Sequence, residues 1–348
     1  MKIELLTPEK DAAVSLLTEM QRAFLSPEED AKRAALDGAL NFHWYDLKKG
    51  ENEQSIPAPL RVSFCVTPEA EDEKTDGYAI VIVSEREDMS NPAAVEMTEG
   101  DTCDIYNLHI GRTYYVCVQK EGKRSEVRRF TTLFELPRGI FIEGISNVRD
   151  AGGYSCDGGR VRSGMLYRGG EVERHMHITP NGIRAMQSLG IRTDLDLRGE
   201  AVGTVDYPTL SPFGICRVLI PLNPYGAMID PQNAEALQKI FHLLADPKAY
   251  PLYHHCWGGA DRGGSLAFLI GAVLGVSMED LLFDYEFTSL SIWNTRSRNY
   301  PEFLKLKNAV LEAEGSTISE KAANLLCSLG VPREDIAAIR SILIEKQA

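Results

Sequence analysis

This sequence of 348 residues has no excess of positive charge. Its 50 acidic side chains outnumber its 37 lysines and arginines, which gives a formal net charge of −13 at pH 7. A field of that sign repels polyanions, so nucleic acid and anionic lipid surfaces are excluded as main partners. An anionic substrate would therefore need a pocket that is locally positive.

Paired cysteines are also missing. The sequence has seven cysteines, an odd number, and they show neither the CxxC spacing of a zinc site nor the pattern of a disulfide framework. The simplest interpretation is a reducing compartment, in which a reactive thiol survives. A protective disulfide between Cys256 and either Cys156 or Cys216 is a minor alternative.

Long apolar runs are absent as well. No stretch approaches the roughly 18 apolar residues of a membrane helix, and the first residues have no apolar signal-peptide core. The sequence therefore predicts a soluble, cytoplasmic protein with no membrane insertion. A chain from which a signal peptide had been removed would look the same.

What is present divides the chain into three segments. Residues 1–40 are predicted to form an N-terminal helical segment, because the pairs TP at 7–8 and SP at 26–27 are typical of helix starts. Residues 41–135 contain short runs rich in β-branched and aromatic residues, separated by polar turns, which indicates a small β-sandwich. Residues 136–348 alternate strand-like and helix-like pieces, which predicts an α/β domain whose central, largely parallel sheet is flanked by helices.

The segment NLHIGRTYYVCVQKEGKRSEVRRFTT at 107–132 resembles the late strands of a fibronectin type III domain. The resemblance implies an all-β fibronectin III-like sandwich. No residue of this stretch forms a catalytic cluster, and fold alone does not give function. A structural role, or docking of a partner protein through the sandwich, is therefore the hypothesis for this segment.

The strongest chemical pattern is HHCWGGADRGG at 254–264, which lies between an apolar strand and an apolar helix. The backbone N–H groups of such a loop and the positive end of the helix dipole form an anion site. Cys256 would act as a thiolate nucleophile, and the planar fork of Arg262 would hold two phosphate oxygens. Gly258 and Gly259 let the backbone curl. The alternative is a buried cysteine that ends a strand, with a surface arginine nearby.

The same segment resembles the HCxxGxxR signature loop of protein tyrosine phosphatases, and most of all the HCxAGKDRTG loop of the bacterial tyrosine/lipid phosphatases. Further motifs of that subgroup follow in order: ISNVRDAGGY at 145–154 is similar to its NFRDLGGY opening, GRVRSGMLYRGGEV at 159–172 to its GxVxxGxLYR segment, and LGIRTDLDLRGE at 189–200 to its GIRTVIDLR strand. The resemblance covers about 140–346.

This resemblance implies a protein-tyrosine-phosphatase-like domain that hydrolyses phosphate monoesters through a phosphocysteine, with no metal or cofactor. Its substrate would be a phosphorylated protein, above all at tyrosine, or a small phosphomonoester. The implied catalytic residues are Cys256, Arg262 and Asp261. The phosphate would be bound by the remainder of the loop, namely Trp257, Gly258, Gly259, Ala260 and Gly263, with His255 supporting the loop from behind.

The general acid stays open at this point. The resemblance assigns it to Asp261, whose alternative role is that of a structural carboxylate ion-paired beside Arg262. Many tyrosine phosphatases use an aspartate on a separate upstream loop, where this sequence has Asn223. The other candidates are Asp230, Asp194, Asp196 and Asp206.

Two departures from the family pattern bear on function. Ala260 replaces a lysine that is associated with highly anionic lipid substrates, which argues mildly against a phosphoinositide. Gly263 replaces a threonine or serine whose hydroxyl helps the thiolate leave, which predicts slow hydrolysis of the phosphoenzyme. The alternatives are a phosphoinositide or inositol phosphate phosphatase and a weakly active phosphate-binding interaction protein. An arsenate reductase or a sulfurtransferase is more distant.

Five further residues received weaker assignments. Asp150, Arg168 and Arg198 lie in the matched motifs, and folding is the commoner role for such residues. His175 and His177 have a spacing compatible with metal ligands, but no carboxylate cluster accompanies them.

Overall fold

The computed structural model describes residues 1–38, 53–70, 76–199 and 210–346. Within these ranges the chain forms two compact units, and the chain passes between them more than once. No helix in the described ranges is long and apolar enough to cross a membrane.

The first unit comprises the described parts of Met1–Thr18 and Pro57–Arg138 and consists of two β-sheets. One sheet has the order β1-β3-β6, and the other has the order β2-β9-β7-β4-β5 with β8 paired to β7. The strands are β1 (Lys2–Thr7), β2 (Ala12–Val14), β3 (Leu60–Thr67), β4 (Ala79–Ser84), β5 (Ala94–Thr98), β6 (Thr102–Ile105), β7 (Thr113–Lys120), β8 (Lys123–Arg124) and β9 (Arg128–Thr132). Neighbouring strands are antiparallel except β2 and β9.

A continuous apolar core fills this unit. Its strands alternate buried and exposed positions, so that Val62, Val81, Tyr114 and Phe130 are fully buried in one cluster. The all-β character predicted for 41–135 is present, and the closer likeness to a fibronectin type III domain stays a prediction.

The helical prediction for residues 1–40 is wrong for its first part. Residues 2–7 form β1, in which Ile3 and Leu5 are buried while their neighbours Lys2 and Glu4 are exposed. This period of two is the period of a strand, and it outweighs the helix-start pattern of the pair at 7–8. The second start is confirmed, since Ser26 Oγ accepts a hydrogen bond from Glu29 N at the first turn of a helix. Residues 39–40 lie outside the described residues.

The domain boundaries also differ from the predicted ones. The helices of residues 19–38, and residues 53–56, belong to the second unit rather than to a separate N-terminal segment. Phe24 packs against Phe287 and Leu290, and Gln54 N donates to the carbonyl of Leu290. Apolar packing and backbone hydrogen bonds therefore attach this stretch to the α/β unit.

The second unit comprises the described parts of Glu19–Ile56 and Gly139–Ala348. Its five-stranded sheet has the order β10-β13-β16-β14-β15, and a small sheet has the order β11-β12-β17. The strands are β10 (Arg149–Asp150), β11 (Ser155–Cys156), β12 (Gly159–Val161), β13 (Leu166–Gly169), β14 (Thr193–Asp196), β15 (Cys216–Leu219), β16 (Leu252–His255) and β17 (Ile344–Glu345). β13, β16, β14 and β15 are mutually parallel, which confirms the predicted parallel sheet.

Nine helices of the described residues belong to this unit: α1 (Glu19–Phe24), α2 (Pro27–Ala34), α3 (Pro180–Ser188), α4 (Ala234–Leu244), α5 (Arg262–Leu274), α6 (Met278–Phe287), α7 (Pro301–Glu312), α8 (Ile318–Ser328) and α9 (Arg333–Leu343). Met186 of α3 shares a core cluster with Tyr253 of β16. The middle strand β16 is buried at every position, as expected for a parallel strand covered on both faces.

Candidate active site

The pattern at 254–264 lies where β16 ends and α5 begins. Cys256 follows the last residue of β16, and α5 starts at Arg262. Ligands of parallel α/β sheets bind at the carboxyl ends of the strands, where helix N-termini point. Cys256 is 3% exposed, so the thiol lies at the base of this edge rather than on the surface.

Every backbone carbonyl from Cys256 to Asp261 accepts a hydrogen bond from the protein around the loop. The donors are His255 Nδ1 to Cys256 O at 3.0 Å, Glu171 N to Trp257 O at 2.8 Å, Asn147 Nδ2 to Gly258 O at 2.8 Å, Arg168 Nη2 to Gly259 O at 2.8 Å, Gly264 N to Ala260 O at 3.0 Å and Ser265 N to Asp261 O at 2.9 Å. Separate segments of the chain therefore hold the carbonyls of residues 257–259, while the first turn of α5 holds those of Ala260 and Asp261.

The N–H groups of the same loop show the opposite behaviour. From Trp257 to Arg262, no backbone N–H donates a hydrogen bond to any other described residue. In a trans peptide the N–H points away from the C=O, so these groups face the interior of the loop. Together with the N-terminus of the 13-residue helix α5, they form a cradle for an anion beside Cys256.

Two of the loop glycines lie too close to neighbouring atoms to carry a side chain. Gly259 has φ +64°, and a Cβ there would lie 2.1 Å from Gly169 O. A Cβ on Gly258 would lie 2.6 Å from the ring of Trp293. Ala260 is buried, so the position where the resembled family has lysine holds a small apolar side chain.

Arg262 has no ion pair or hydrogen bond with any described residue. Its guanidinium lies 5.8 Å from the ring centroid of Trp257, and that of Arg174 lies at the same distance. The ring centroid of His175 lies 5.3 Å from the ring centroid of Trp257. Trp257 is 42% exposed. We call Arg174, His175, Trp257 and Arg262 the rim, and its two arginines are available to anionic groups of a ligand.

Asp261 is oriented by two contacts on one oxygen. Its Oδ1 accepts a hydrogen bond from the hydroxyl of Tyr225 and pairs with Arg296 Nη2 at 2.9 Å. Its Oδ2 has no partner among the described residues, and the side chain is 41% exposed. The ion pair is thus with Arg296 instead of Arg262, and one carboxylate oxygen is left for a leaving group.

Tyr225 is itself fixed in place. It begins the short 3-10 turn Tyr225–Ile229, has φ +60°, and its N–H donates to Ser265 Oγ of α5 at 2.9 Å. Burial, with the neighbouring Tyr285 and the Asp261 carboxylate, raises the pKa of Tyr225. The hydroxyl therefore stays protonated and donates to Asp261 at neutral pH.

His255 and Asp194 form an ion pair beneath the loop. His255 Nε2 lies 3.0 Å from Asp194 Oδ1, with both side chains buried. Burial alone would lower the pKa of His255, but the charges of Asp194 and Asp196 outweigh it and raise the pKa to about 9. The imidazolium donates from Nδ1 to the carbonyl of Cys256, so the residue predicted to support the loop contacts it directly.

Two buried arginines support the middle of the loop. Arg168 pairs with Asp284 and donates to Gly259 O, while Arg149 pairs with Asp284 at 2.7 Å. Arg149 also donates to Asn147 Oδ1 at 2.6 Å, and Asn147 holds Gly258 O. We call Arg149, Arg168, Asp194, His255 and Asp284 the floor of the site.

The other candidate acids are differently placed. Asp194 and Asp196 are buried, and Asp196 pairs with Arg198 at 2.8 Å. Asp230 and Asn223 are exposed, and no hydrogen bond between described residues joins either side chain to the loop. Asp206 lies outside the described residues.

The remaining predicted positions have structural contacts. Asp150 accepts hydrogen bonds from Gly152 N and Gly164 N, each at 2.8 Å. His175 Nδ1 contacts Glu171 at 2.8 Å, and the described residues contain no group of three His, Cys, Asp or Glu side chains arranged to hold a metal. Cys156 and Cys216 are free thiols, as are the other five cysteines.

Sequence reasoning missed several residues of the site. Tyr225 and Arg296 hold Asp261, and Asn147 holds Gly258 O, although none of them was assigned a role. Tyr225 follows Asn223 by two residues in the upstream segment LIPLNPYGAMID, so the signal for it is a hydrogen-bonding side chain of any kind at this place, not only an aspartate. Nothing in the spacing pointed to Arg296.

Comparison with known proteins places these motifs. A family model described as "Tyrosine phosphatase family" matches residues 140–345. A Cupriavidus necator protein named "Putative tyrosine-protein phosphatase" is 30% identical over 173 residues, which cover 42% of this chain and 61% of that protein. The chain therefore spans about 61% of the length of this curated relative.

A solved structure was also matched. It is the core catalytic domain of a PP-IP phosphatase from S. cerevisiae in complex with citrate, which is 16% identical, with 45% of this chain and 82% of that chain covered and a TM-score of 0.30. A similarity this low supports no inference about the substrate.

Proposed function

Because the chain belongs to the tyrosine phosphatase family, we propose that it hydrolyses phosphate monoesters with Cys256 as the nucleophile. The observation that supports this most is the polarity of the loop: every carbonyl from Cys256 to Asp261 accepts a hydrogen bond, whereas no N–H group from Trp257 to Arg262 donates one to a described residue. Such a loop is built for an anion of phosphate size.

In the first step the Cys256 thiolate attacks phosphorus, an S–P bond forms, and the bond to the leaving oxygen breaks. The loop N–H groups and Arg262 stabilise the charge on the three other oxygens. Asp261, in its protonated form, gives its proton to the leaving oxygen. In the second step water replaces the thiolate, and the proton of the water returns to Asp261.

A phosphotyrosyl protein is the proposed substrate. Ala260 adds no cation to the loop, and the exposed ring of Trp257 at the rim can stack on an aromatic leaving group. The second candidate is a small molecule with several phosphates, such as an inositol phosphate. Arg174 favours it, because this arginine has φ +100°, a strained conformation for a non-glycine residue, and contacts Trp257 without an ion pair to any described residue.

The test of the function is hydrolysis of para-nitrophenyl phosphate against pH, with EDTA present, by the freshly reduced protein beside Cys256→Ser. We expect turnover that EDTA does not change and that the serine variant loses. A reduced wild type that binds vanadate without turnover would instead identify the phosphate-binding interaction protein.

The role of Asp261 is tested by the leaving group. Asp261→Asn should reduce kcat/KM about 10²-fold or more for phenyl phosphate, a poor leaving group, and much less for para-nitrophenyl phosphate. Equal losses with both substrates would remove Asp261 from the acid role.

The substrate class is tested by assaying a phosphotyrosyl peptide, a phosphoseryl peptide and inositol hexakisphosphate with wild type and Arg174→Ala. A selective loss on the inositol phosphate would favour the second candidate. Preference for the tyrosyl peptide in both proteins supports the first.

A further inference from the structure

His254 is a buried titratable side chain that the proposed mechanism leaves unused. It is 0% exposed, and neither ring nitrogen has a hydrogen-bond partner among the described residues. An unpaired polar group inside a protein costs free energy, so its presence requires an explanation. Its neighbour in sequence, His255, has a carboxylate oxygen of Asp194 3.0 Å from Nε2 and donates from Nδ1 to Cys256 O.

The ring of His254 borders a space that Gly263 leaves open beside the nucleophile. A Cβ placed on Gly263 would lie 4.0 Å from His254 Nδ1 and 4.0 Å from Cys256 Sγ. Outside the helix's own backbone and the adjacent residues, no other described atom comes within 4 Å of that point. The imidazole nitrogen and the sulfur therefore both border the position where any other residue would have a side chain.

The protonation state of His254 suits a donor role. Burial, and then the charge of Arg168, lower the pKa of His254 to about 3. The ring is therefore neutral at working pH, and a neutral imidazole has one N–H that donates and one nitrogen that accepts. A thiolate is a charged acceptor, so the Nδ1–H tautomer is the one that pairs with it.

We propose that His254 donates a hydrogen bond from Nδ1 toward Cys256 Sγ across the space beside Gly263, and so stabilises the thiolate as the leaving group of the second step. This inference rests on the proposed function. In that step water attacks phosphorus, the S–P bond breaks with its electron pair passing to Sγ, and the proton of the water goes to Asp261. Negative charge grows on sulfur during this step, which is where a preorganised donor has its effect.

Gly263 provides a matched pair of variants with little risk to folding. Its φ is not positive, and a Cβ there makes contacts of ordinary van der Waals length, so alanine and serine both fit in the first turn of α5. The methyl group of Gly263→Ala occupies the space that both the ring and the sulfur border. The hydroxyl of Gly263→Ser brings its own donor to the same place.

We expect Gly263→Ala to lower kcat about tenfold, while kcat/KM, which ends at formation of the phosphocysteine, stays within about twofold. The loss is set below the 10²–10³-fold cost of a donor to an oxyanion, because sulfur is a weak acceptor. The pre-steady-state burst of para-nitrophenol should rise toward one per site. Gly263→Ser should have a higher kcat and a smaller burst than Gly263→Ala.

His254→Leu removes the donor itself and should reproduce the behaviour of Gly263→Ala, while the double variant with Gly263→Ser should regain the kcat of Gly263→Ser. A purely structural role for His254 would lower kcat, kcat/KM and burst amplitude in parallel. If His254→Leu does not fold, the difference in kcat and burst amplitude between Gly263→Ala and Gly263→Ser tests the proposal by itself.

The two proposals fail in distinguishable ways. Absence of turnover in reduced wild type contradicts the proposed function. Turnover in wild type, with Gly263→Ala and Gly263→Ser equal to each other in kcat and burst, contradicts the role of His254 while leaving the function intact.

Discussion

Charge is arranged in opposite ways on the floor and on the rim of the phosphate-binding loop. On the floor, Asp284 contacts both Arg149 and Arg168, and Asp194 contacts His255. On the rim, Arg262 and Arg174 contact the ring of Trp257 and have no carboxylate partner among the described residues. A buried charge requires a partner to be tolerated, whereas a charge that binds substrate must be left unpaired.

This comparison separates two kinds of mutational effect. Floor residues hold the carbonyl side of the loop, so their loss should reduce the free energy of unfolding and activity together. Rim residues contact few protein groups, so their loss should reduce activity alone. Asp261 lies between the two groups, since one of its oxygens is held by protein and the other is free.

The largest effect is expected on the floor, at Asp284. Asp284→Asn leaves Arg149 and Arg168 buried without a full counter-charge, which should lower the free energy of unfolding by about 3–5 kcal/mol. Urea unfolding measures this, and Glu279→Gln on the same helix, where the side chain is exposed, is the control. Equal free energies of unfolding for the two variants would contradict the role given to the floor residues.

Arg262→Lys should show the reverse behaviour on the rim. Lysine keeps the charge but not the planar fork, so kcat/KM should fall about 10²–10³-fold. The thermal midpoint should stay within about 1 °C, because Arg262 forms no ion pair with a described residue. A substantial drop of the thermal midpoint would show that Arg262 stabilises the fold, as the floor residues do.

The charge of His255 predicts a pH dependence of stability. Its folded pKa of about 9 lies above the ordinary value of 6.5, so its contribution is fully present below about pH 6.5 and is lost as the pH rises through 9. Each unit of raised pKa corresponds to about 1.4 kcal/mol, so the total loss is a few kcal/mol. Groups facing His255 from β14 and the following residues, namely Asp194, Asp196 and Arg198, set this value.

Unfolding free energies of wild type and Asp194→Asn, measured from pH 6 to 10, check this prediction. The stability of wild type should fall toward that of the variant as the pH increases, because the variant lacks the main charge that raises the pKa of His255. Parallel curves would show that the pair does not hold a proton on His255.

The smallest effect is expected at Tyr225, which positions Asp261 through a single hydroxyl. Tyr225→Phe should lower the free energy of unfolding by about 1 kcal/mol, since solvent and Arg296 still reach the partly exposed carboxylate. It should lower kcat for phenyl phosphate several-fold. Tyr300→Phe is the matched control, because its ring also packs on Tyr225 while its hydroxyl bonds to no described residue.

Much of the α/β unit was predictable because its signals are local. Residues 252–255 form a buried strand that is followed by a loop with glycines, and the strand, loop and helix follow in the chain as they do in the fold. Cys256, Arg262 and Asp261 lie within seven positions of each other, so their proximity needs no knowledge of the tertiary structure.

The partners of the loop could not be predicted in this way. Arg296 follows Asp261 by many residues in an irregular stretch, and Asn147 comes from a turn before β10, so only the tertiary fold brings them to the site. The strand β1 was missed for a different reason. The Thr-Pro pair at its end resembles a helix start, while the strand that pairs with it, β3, lies far along the chain.

The phosphocysteine tests the central claim most directly. Wild-type protein is mixed with para-nitrophenyl phosphate, quenched in acid within milliseconds, digested, and examined by mass spectrometry for a phosphoryl group. The account predicts the modification on Cys256, its absence in Cys256→Ser, and greater accumulation in Gly263→Ala. Steady release of para-nitrophenol by a protein in which Cys256 is never phosphorylated would contradict it.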